Sequence, residues 1–300
     1  MAHHGDNLSD EDKKAIMEQN INITRNLANI KYKVAVMSGK GGVGKSTVAV
    51  NLAQAFNAMG YKTAIYDVDI HGPNVPKMLG IEGESIGVKG NKLVPVETDD
   101  GLLVASMAFL IENNGSPIIW RGPQKTGAIK QLISDVAWGN IDVMIFDNPP
   151  GTGDEPLTVL QMIPNLDAAV MVTTPSSVSE EDVIKCVGMT RMLNINNIGL
   201  IENMSYFECP HCNEKVNLFG DSKGKDFAEA MNVDYLGDLP FKTAVSESAD
   251  KYDTPIVKSE PDSLASQGFI TIAKEIESKY FNKDDWNHQH FFLIFIIYFL

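Results

Sequence analysis

The segment Ser38-Gly39-Lys40-Gly41-Gly42-Val43-Gly44-Lys45-Ser46-Thr47 leaves this chain the fewest choices. Gly39, Gly44, Lys45 and Ser46 fit the pattern G-x-x-x-x-G-K-[ST]. Glycines carry no Cβ, so successive backbone N–H groups can converge on phosphate oxygens. A helix N-terminus behind such a loop adds positive potential. Lys45 is then placed to reach the β- and γ-phosphates of ATP, Ser46 to ligate Mg²⁺, and Thr47 to contact a more distal phosphate. The motif requires a strand before it and a helix after it. Residues 34–37 are a short apolar run, and residues 45–59 form an apolar-rich helical stretch closed by Gly60. That context outweighs the alternative of a glycine-rich turn that binds nothing.

The same alternation continues along the chain. Helical patterns are expected over 9–30, 124–136, 179–193 and 264–280, and strands over 63–67, 102–107, 143–147, 168–173 and 198–203. Apolar strands alternating with helices predict an α/β fold, a doubly wound and mostly parallel sheet with helices on both faces. In such sheets ligands bind beyond the carboxyl ends of the strands. Asp67 and Asp69 stand at one such end, and Asp147 closes Val143-Met144-Ile145-Phe146-Asp147 at another. Asp147 in that setting would hold Mg²⁺ through a water. The following Asn148-Pro149-Pro150-Gly151-Thr152-Gly153-Asp154 reads as a switch loop with backbone freedom at its glycines. Asn203 ends a further strand, and its amide can donate to and accept from the N6–N7 edge of adenine. Pro240 is the candidate to lie against the ring.

Cys209-Pro210-His211-Cys212 is a C-x-x-C in the loop after the Asn203 strand. It does not open a helix, which disfavours a redox thiol whose pKa is lowered by a helix terminus. Two thiolates at this spacing can chelate one metal centre, but tetrahedral zinc or a [4Fe-4S] cluster wants about four ligands. Cys186, the third cysteine, falls in a helical pattern and reads as a small packed residue, and His211 as a turn former. Two cysteines from each of two chains would complete four ligands.

Lys40, inside the loop, makes the segment resemble the deviant Walker A of MinD-like P-loop ATPases. In that group the first lysine reaches the nucleotide of a second subunit, so the resemblance implies a homodimer with ATP at its interface. By the group's pattern Asp69 positions the attacking water, Asp67 supports Mg²⁺ and its waters, and Asn203 contacts adenine. From about residue 30 to 277 the chain resembles the Mrp/ApbC family of P-loop iron–sulfur cluster carriers. The resemblance rests on SGKGGVGKST, on DVDIHGPNVP (67–76), on WRGP (120–123), on DNPPGTGDEPL (147–157) and on ENMSYFECPHC (202–212). It implies slow ATP hydrolysis and a [4Fe-4S] cluster bridged across the homodimer by Cys209 and Cys212 and passed to apo iron–sulfur proteins. The chain departs from the family at Asn74, at Asp221-Ser222-Lys223-Gly224 where glycines usually run on, and at residues 251–255.

The expected organisation is an N-terminal helical extension (1–30), an ATPase domain (31–282) with the cysteine loop at 204–219, and a tail (283–300). The tail ends in ten apolar residues, FFLIFIIYFL. As a helix they would span about 15 Å, half a bilayer core. A net charge of −14 argues against nucleic acid and against anionic membranes. The start of the chain lacks signal-peptide character, and few cysteines suit a reducing, cytoplasmic setting. The competing reading is a MinD/ParA-like positioning ATPase with structural zinc at the C-x-x-C.

Overall fold

The apolar runs pair into one large sheet, and its order decides where the phosphate loop sits. The computed structural model describes residues 9–69, 72–110, 122–208, 212, 214–217, 222–241 and 254–281. Helix α1 (Asp10–Ala28) leads into β1 (Ile30–Met37), followed by α2 (Lys45–Ala58), β2 (Thr63–Asp67) and the single turn α3 (Val75–Met78). A small hairpin, β3 (Gly87–Lys89) and β4 (Lys92–Val94), precedes β5 (Val96–Glu97) and β6 (Leu103–Ser106). Then come α4 (Gly122–Asp135), β7 (Ile141–Asp147), α5 (Asp154–Met162), β8 (Ala168–Thr173), α6 (Ser177–Met192) and β9 (Ile198–Glu202). A second hairpin, β10 (Phe207–Glu208) and β11 (Lys215–Val216), is followed by α7 (Gly224–Met231) and β12 (Asp234–Asp238). Helices Ile256–Ser259 and Leu264–Tyr280 close the described chain.

The main sheet has eight strands in the order β12-β9-β8-β1-β7-β2-β6-β5. Every neighbouring pair is parallel except β5 with β6 at the edge. Strand β1 is central, and both its neighbours, β7 and β8, are themselves flanked. That is why these strands read as unbroken apolar runs: both faces are covered. Val143 and Ile145 of β7 face a core built with α2 and the last helix. Met144 and Phe146 face the opposite core, under α1, α4, α5 and α6. At its end the last helix is anchored by Phe281, whose ring stacks on Tyr32 with centroids 4.0 Å apart.

The doubly wound parallel sheet expected from the sequence is therefore present, with shifted boundaries. Residue 30 belongs to β1 rather than to the first helix, because Ile30 pairs with Ile141 of β7 and its side chain is buried. Strand pairing overrides the helical spacing that Ile30 shares with Ile23 and Leu27. The run 102–107 divides into β6 and a 3₁₀ turn at Met107–Leu110. Strand β9 ends at Glu202, so Asn203 stands just past it. Trp120, Arg121, the C-x-x-C residues 209–211 and the tail 283–300 lie outside the described residues. Among the described residues no helix is long and apolar enough to cross a membrane.

Candidate nucleotide site and cysteine hairpin

The loop from Ser38 to Gly44 joins the central strand to the N-terminus of α2. Gly42 and Gly44 both have φ near 82°, a region that side chains rarely enter. A Cβ on Gly44 would lie 2.3 Å from Asn203 Nδ2, and one on Gly39 would lie 2.4 Å from the Asp182 Cβ of α6. Glycine is thus demanded by conformation at Gly42, by space at Gly39, and by both at Gly44. Ser38 Oγ donates to the Lys40 carbonyl at 2.9 Å, and the Ser38 carbonyl accepts from Gly151 N at 2.8 Å. Gly151 of the expected switch loop therefore already holds the phosphate loop. Gly41 and Gly42 are exposed, whereas Val43 is buried. Ser46 and Thr47, in the first turn of α2, are half-buried, as is Lys40, which forms no ion pair among the described residues.

Lys45 is buried, and its ammonium pairs with Asp147 Oδ1 and donates to Ser46 Oγ at 3.1 Å. The register between β2 and β7 sets Asp67 directly opposite Asp147. Asp67 is fully buried; its carboxyl accepts from Ser106 Oγ at 2.9 Å, Asp69 N at 3.2 Å and Val75 N at 3.3 Å. Burial, with the Asp147 charge beside it, pushes Asp67 up to about 8 despite these donors and Lys45. Asp147 Oδ2 is buried and has no hydrogen-bond partner among the described residues. A bare carboxylate oxygen is costly unless a cation or its hydration water meets it, so this donor set fits Mg²⁺. Asp69 is buried, and its Oδ1 accepts from Gly72 N at 3.2 Å. The structure thus brings together Lys45, Ser46, Asp67, Asp69 and Asp147.

Asn203 completes this edge of the sheet from the β9 side. Its Nδ2 donates to the Val43 carbonyl at 2.9 Å, so the amide that sequence reading assigns to adenine is tied to the phosphate loop. That leaves its oxygen for a base. Pro240 is buried on the adjacent segment, where Ser205 N donates to the Leu239 carbonyl at 2.9 Å. Past Asn203 the chain enters the β10–β11 hairpin, in which Glu208 pairs with Lys215. In sequence the C-x-x-C lies between these two strands. Cys212 is exposed, and Cys209 lies outside the described residues. No group of three potential metal-binding side chains occurs among the described residues. Cys186 is buried in α6, and its thiol is pushed up to about 12 by burial and by Asp182, as suits an inert packed residue.

Sequence reasoning missed three participants. Ser106 holds Asp67. Asn148 is fully buried with neither amide atom hydrogen-bonded. Glu202 is buried and accepts from Ser205, Ser222 and Lys223. For Glu202 one signal was available, a charged residue ending an apolar strand. For Ser106 there was none.

Comparison with known proteins decides the family. The family model described as ParA, NUBPL iron-transfer P-loop NTPase, matches residues 29–277. The chain belongs to this family. It is 46% identical over 273 residues to the iron-sulfur cluster carrier protein of Methanocaldococcus jannaschii, covering 91% of this chain and 93% of that protein. It is also 46% identical over 221 residues to the cytosolic Fe-S cluster assembly factor NUBP2 homolog of Dictyostelium discoideum, covering 72% of this chain and 83% of that protein. A nucleotide-binding protein from Archaeoglobus fulgidus, solved with ADP, superposes with a TM-score of 0.68 at 33% identity, covering 84% and 92% of the two chains. The cell division protein MinD of Aquifex aeolicus shares the fold, with a TM-score of 0.61 at 21% identity over 82% and 97%. Membership of this P-loop NTPase family makes nucleotide hydrolysis the general chemistry of the site.

Proposed function

We propose that this chain is an iron–sulfur cluster carrier. It binds and slowly hydrolyses ATP, holds a [4Fe-4S] cluster between Cys209 and Cys212 of two protomers, and delivers it to apo-proteins in the cytoplasm. The observation that carries the reading is the hairpin β10–β11. Its two strands flank the C-x-x-C in sequence, a few residues past Asn203, and Cys212 is exposed, which supports the reading. A cluster held there is cargo, and an exposed thiolate loop is where cargo can be handed over. Two cysteines per chain fall short of four ligands, and a two-fold axis through the loop supplies the rest.

At the nucleotide, the residues act through charge. An arriving triphosphate offers Lys45 oxygens in place of Asp147. Asp147 and Asp67 would then be free to hold Mg²⁺ through its waters, with Asp67 releasing its proton to solvent. Mg²⁺ would supply charge neutralisation on the β- and γ-phosphates. Asp69 orients the attacking water. Lys40, without an ion pair among the described residues, reaches the partner's nucleotide and makes hydrolysis depend on the dimer.

Anaerobic reconstitution with iron and sulfide tests the cargo. About four iron and four sulfide per dimer are expected, absent in the Cys209→Ala, Cys212→Ala double variant. Zinc alone, or no metal in either protein, would overturn the carrier reading in favour of a positioning ATPase with a structural metal.

A further inference from the structure

The C-x-x-C hairpin leaves the sheet after β9 and returns before α7, and both of its feet meet one side chain. Glu202, the last residue of β9, is 2% exposed. Its Oε2 accepts from Ser205 Oγ at 2.8 Å on the outgoing foot. The same oxygen accepts from Ser222 Oγ on the returning foot, and Oε1 accepts from Lys223 N at 3.3 Å. Gly224 keeps the start of α7 close: a Cβ there would lie 3.0 Å from Glu202 Cβ and Cδ. The backbone of Glu202 is also held, because its carbonyl accepts from Leu239 N at 2.9 Å beside Pro240. Its neighbour Asn203 reaches the Val43 carbonyl of the phosphate loop. Hydrogen bonds joined by the 202–203 peptide link therefore run from the phosphate loop to both ends of the cysteine segment.

We infer that Glu202 is a positioning residue that couples the nucleotide site to the C-x-x-C hairpin. The physical reason is the cost of leaving a buried carboxylate short of donors. Hydrogen bonds to a charged acceptor are the strong ones, and an unpaired buried charge is far costlier than a moved loop. When nucleotide shifts Asn203, Glu202 shifts with it, and Ser205, Ser222 and Lys223 follow the carboxylate. A side chain at position 202 that cannot accept these hydrogen bonds, such as alanine, breaks that link and leaves β9 and the phosphate loop in place. The inference rests on the nucleotide and thiolate roles proposed above, and it adds the connection between them.

Thiol labelling reads the coupling without any cluster. The apo-protein is reacted with a disulfide reagent, with and without MgATP, and the Cys209→Ala, Cys212→Ala variant gives the Cys186 background. In the unaltered chain MgATP is expected to change the hairpin thiol rate about fivefold or more. In Glu202→Ala the ratio should fall to about one, with MgATP still bound by calorimetry. Glu202→Gln and Ser222→Ala should give intermediate ratios, and they carry the test if Glu202→Ala does not fold. Wild-type ratios in all the Glu202 and Ser222 variants, or a ratio of one in the unaltered chain with ATP bound, overturn the inference. A hairpin that responds to MgATP through Glu202 yet holds no cluster on reconstitution overturns the carrier reading alone. A cluster-binding hairpin indifferent to Glu202 overturns this inference alone.

Discussion

Asp67→Asn probes the charge arrangement at the centre of the site. Without metal or nucleotide, burial and the Asp147 charge push Asp67 up to about 8 from its ordinary 3.8. Between those limits the folded chain keeps a proton that the unfolded chain has released. Stability therefore falls as pH rises, by up to about 1.4 kcal/mol per pH unit from this one group. Its contribution is complete below about pH 4 and lost above about pH 8. From pH 5 to pH 7 the loss amounts to about 2 to 3 kcal/mol. Asparagine cannot titrate, so its curve lacks this slope. It also carries a constant offset of about 1 kcal/mol, because one oxygen must replace two that accept from Ser106, Asp69 and Val75. Urea unfolding in chelator at several pH values measures both curves, and histidines contribute equally to each. Parallel curves from pH 5 to pH 7 would refute the reasoning and mean that Asp67 is ionised beside Asp147. The functional counterpart is that MgATP affinity should rise with pH in the unaltered chain and stay flat in Asp67→Asn.

Three further substitutions test separate parts of the site. Asn148→Leu removes a fully buried amide whose two polar atoms have no partner, with a side chain of similar branching. A gain of about 1 kcal/mol and a higher melting temperature are expected, and a loss of stability would reveal a partner for the amide. Gly44→Ala places a methyl 2.3 Å from Asn203 Nδ2 at a φ of 82°, so it should weaken ATP binding about tenfold or more with little change in helix content. Calorimetric titration settles this, and unchanged affinity would show the loop to be adaptable. Asp69→Asn should bind MgATP normally and hydrolyse it about 100-fold more slowly, as for loss of a water-orienting base; phosphate release at the wild-type rate would remove Asp69 from that role.

The central sheet was legible because parallel strands buried on both faces are written as apolar runs. Residues 63–67 and 168–173 are therefore read at their true bounds, and 143–147 misses only the first two residues of β7 (Ile141–Asp147). The edge strands were not legible. Asp234–Asp238 reads Asp-Tyr-Leu-Gly-Asp and buries Leu236 only, so neither alternation nor a run marks it. Val96–Glu97 is too short to carry a pattern. The phosphate loop was legible residue by residue, since its glycines answer conformational demands that local sequence expresses. What local sequence cannot express is the partner of a polar group. Asn203 was read as free to pair with a base by both amide atoms, but its Nδ2 is bound to Val43, 160 residues away in sequence. Glu202 meets Ser222 across 20 residues that include the hairpin.

The same distinction explains how the site's charges are organised. The carboxyl edge of the sheet sets Asp67 and Asp147 side by side at the Lys45 ammonium, with Asp69 two residues past Asp67, all of them buried. With all three acids ionised the cluster would carry two uncompensated negative charges facing a polyanionic ligand. Protonation of Asp67 and pairing of Lys45 with Asp147 remove most of that cost in the free protein. Triphosphate without a cation would then have to draw Lys45 from Asp147 and leave that carboxylate bare. Triphosphate with Mg²⁺ replaces the lost partner in the same step. On the proposed function the arrangement would favour the metal complex over free nucleotide, and would do so through a proton, so the pH dependence of Asp67 would report on the nucleotide site as a whole.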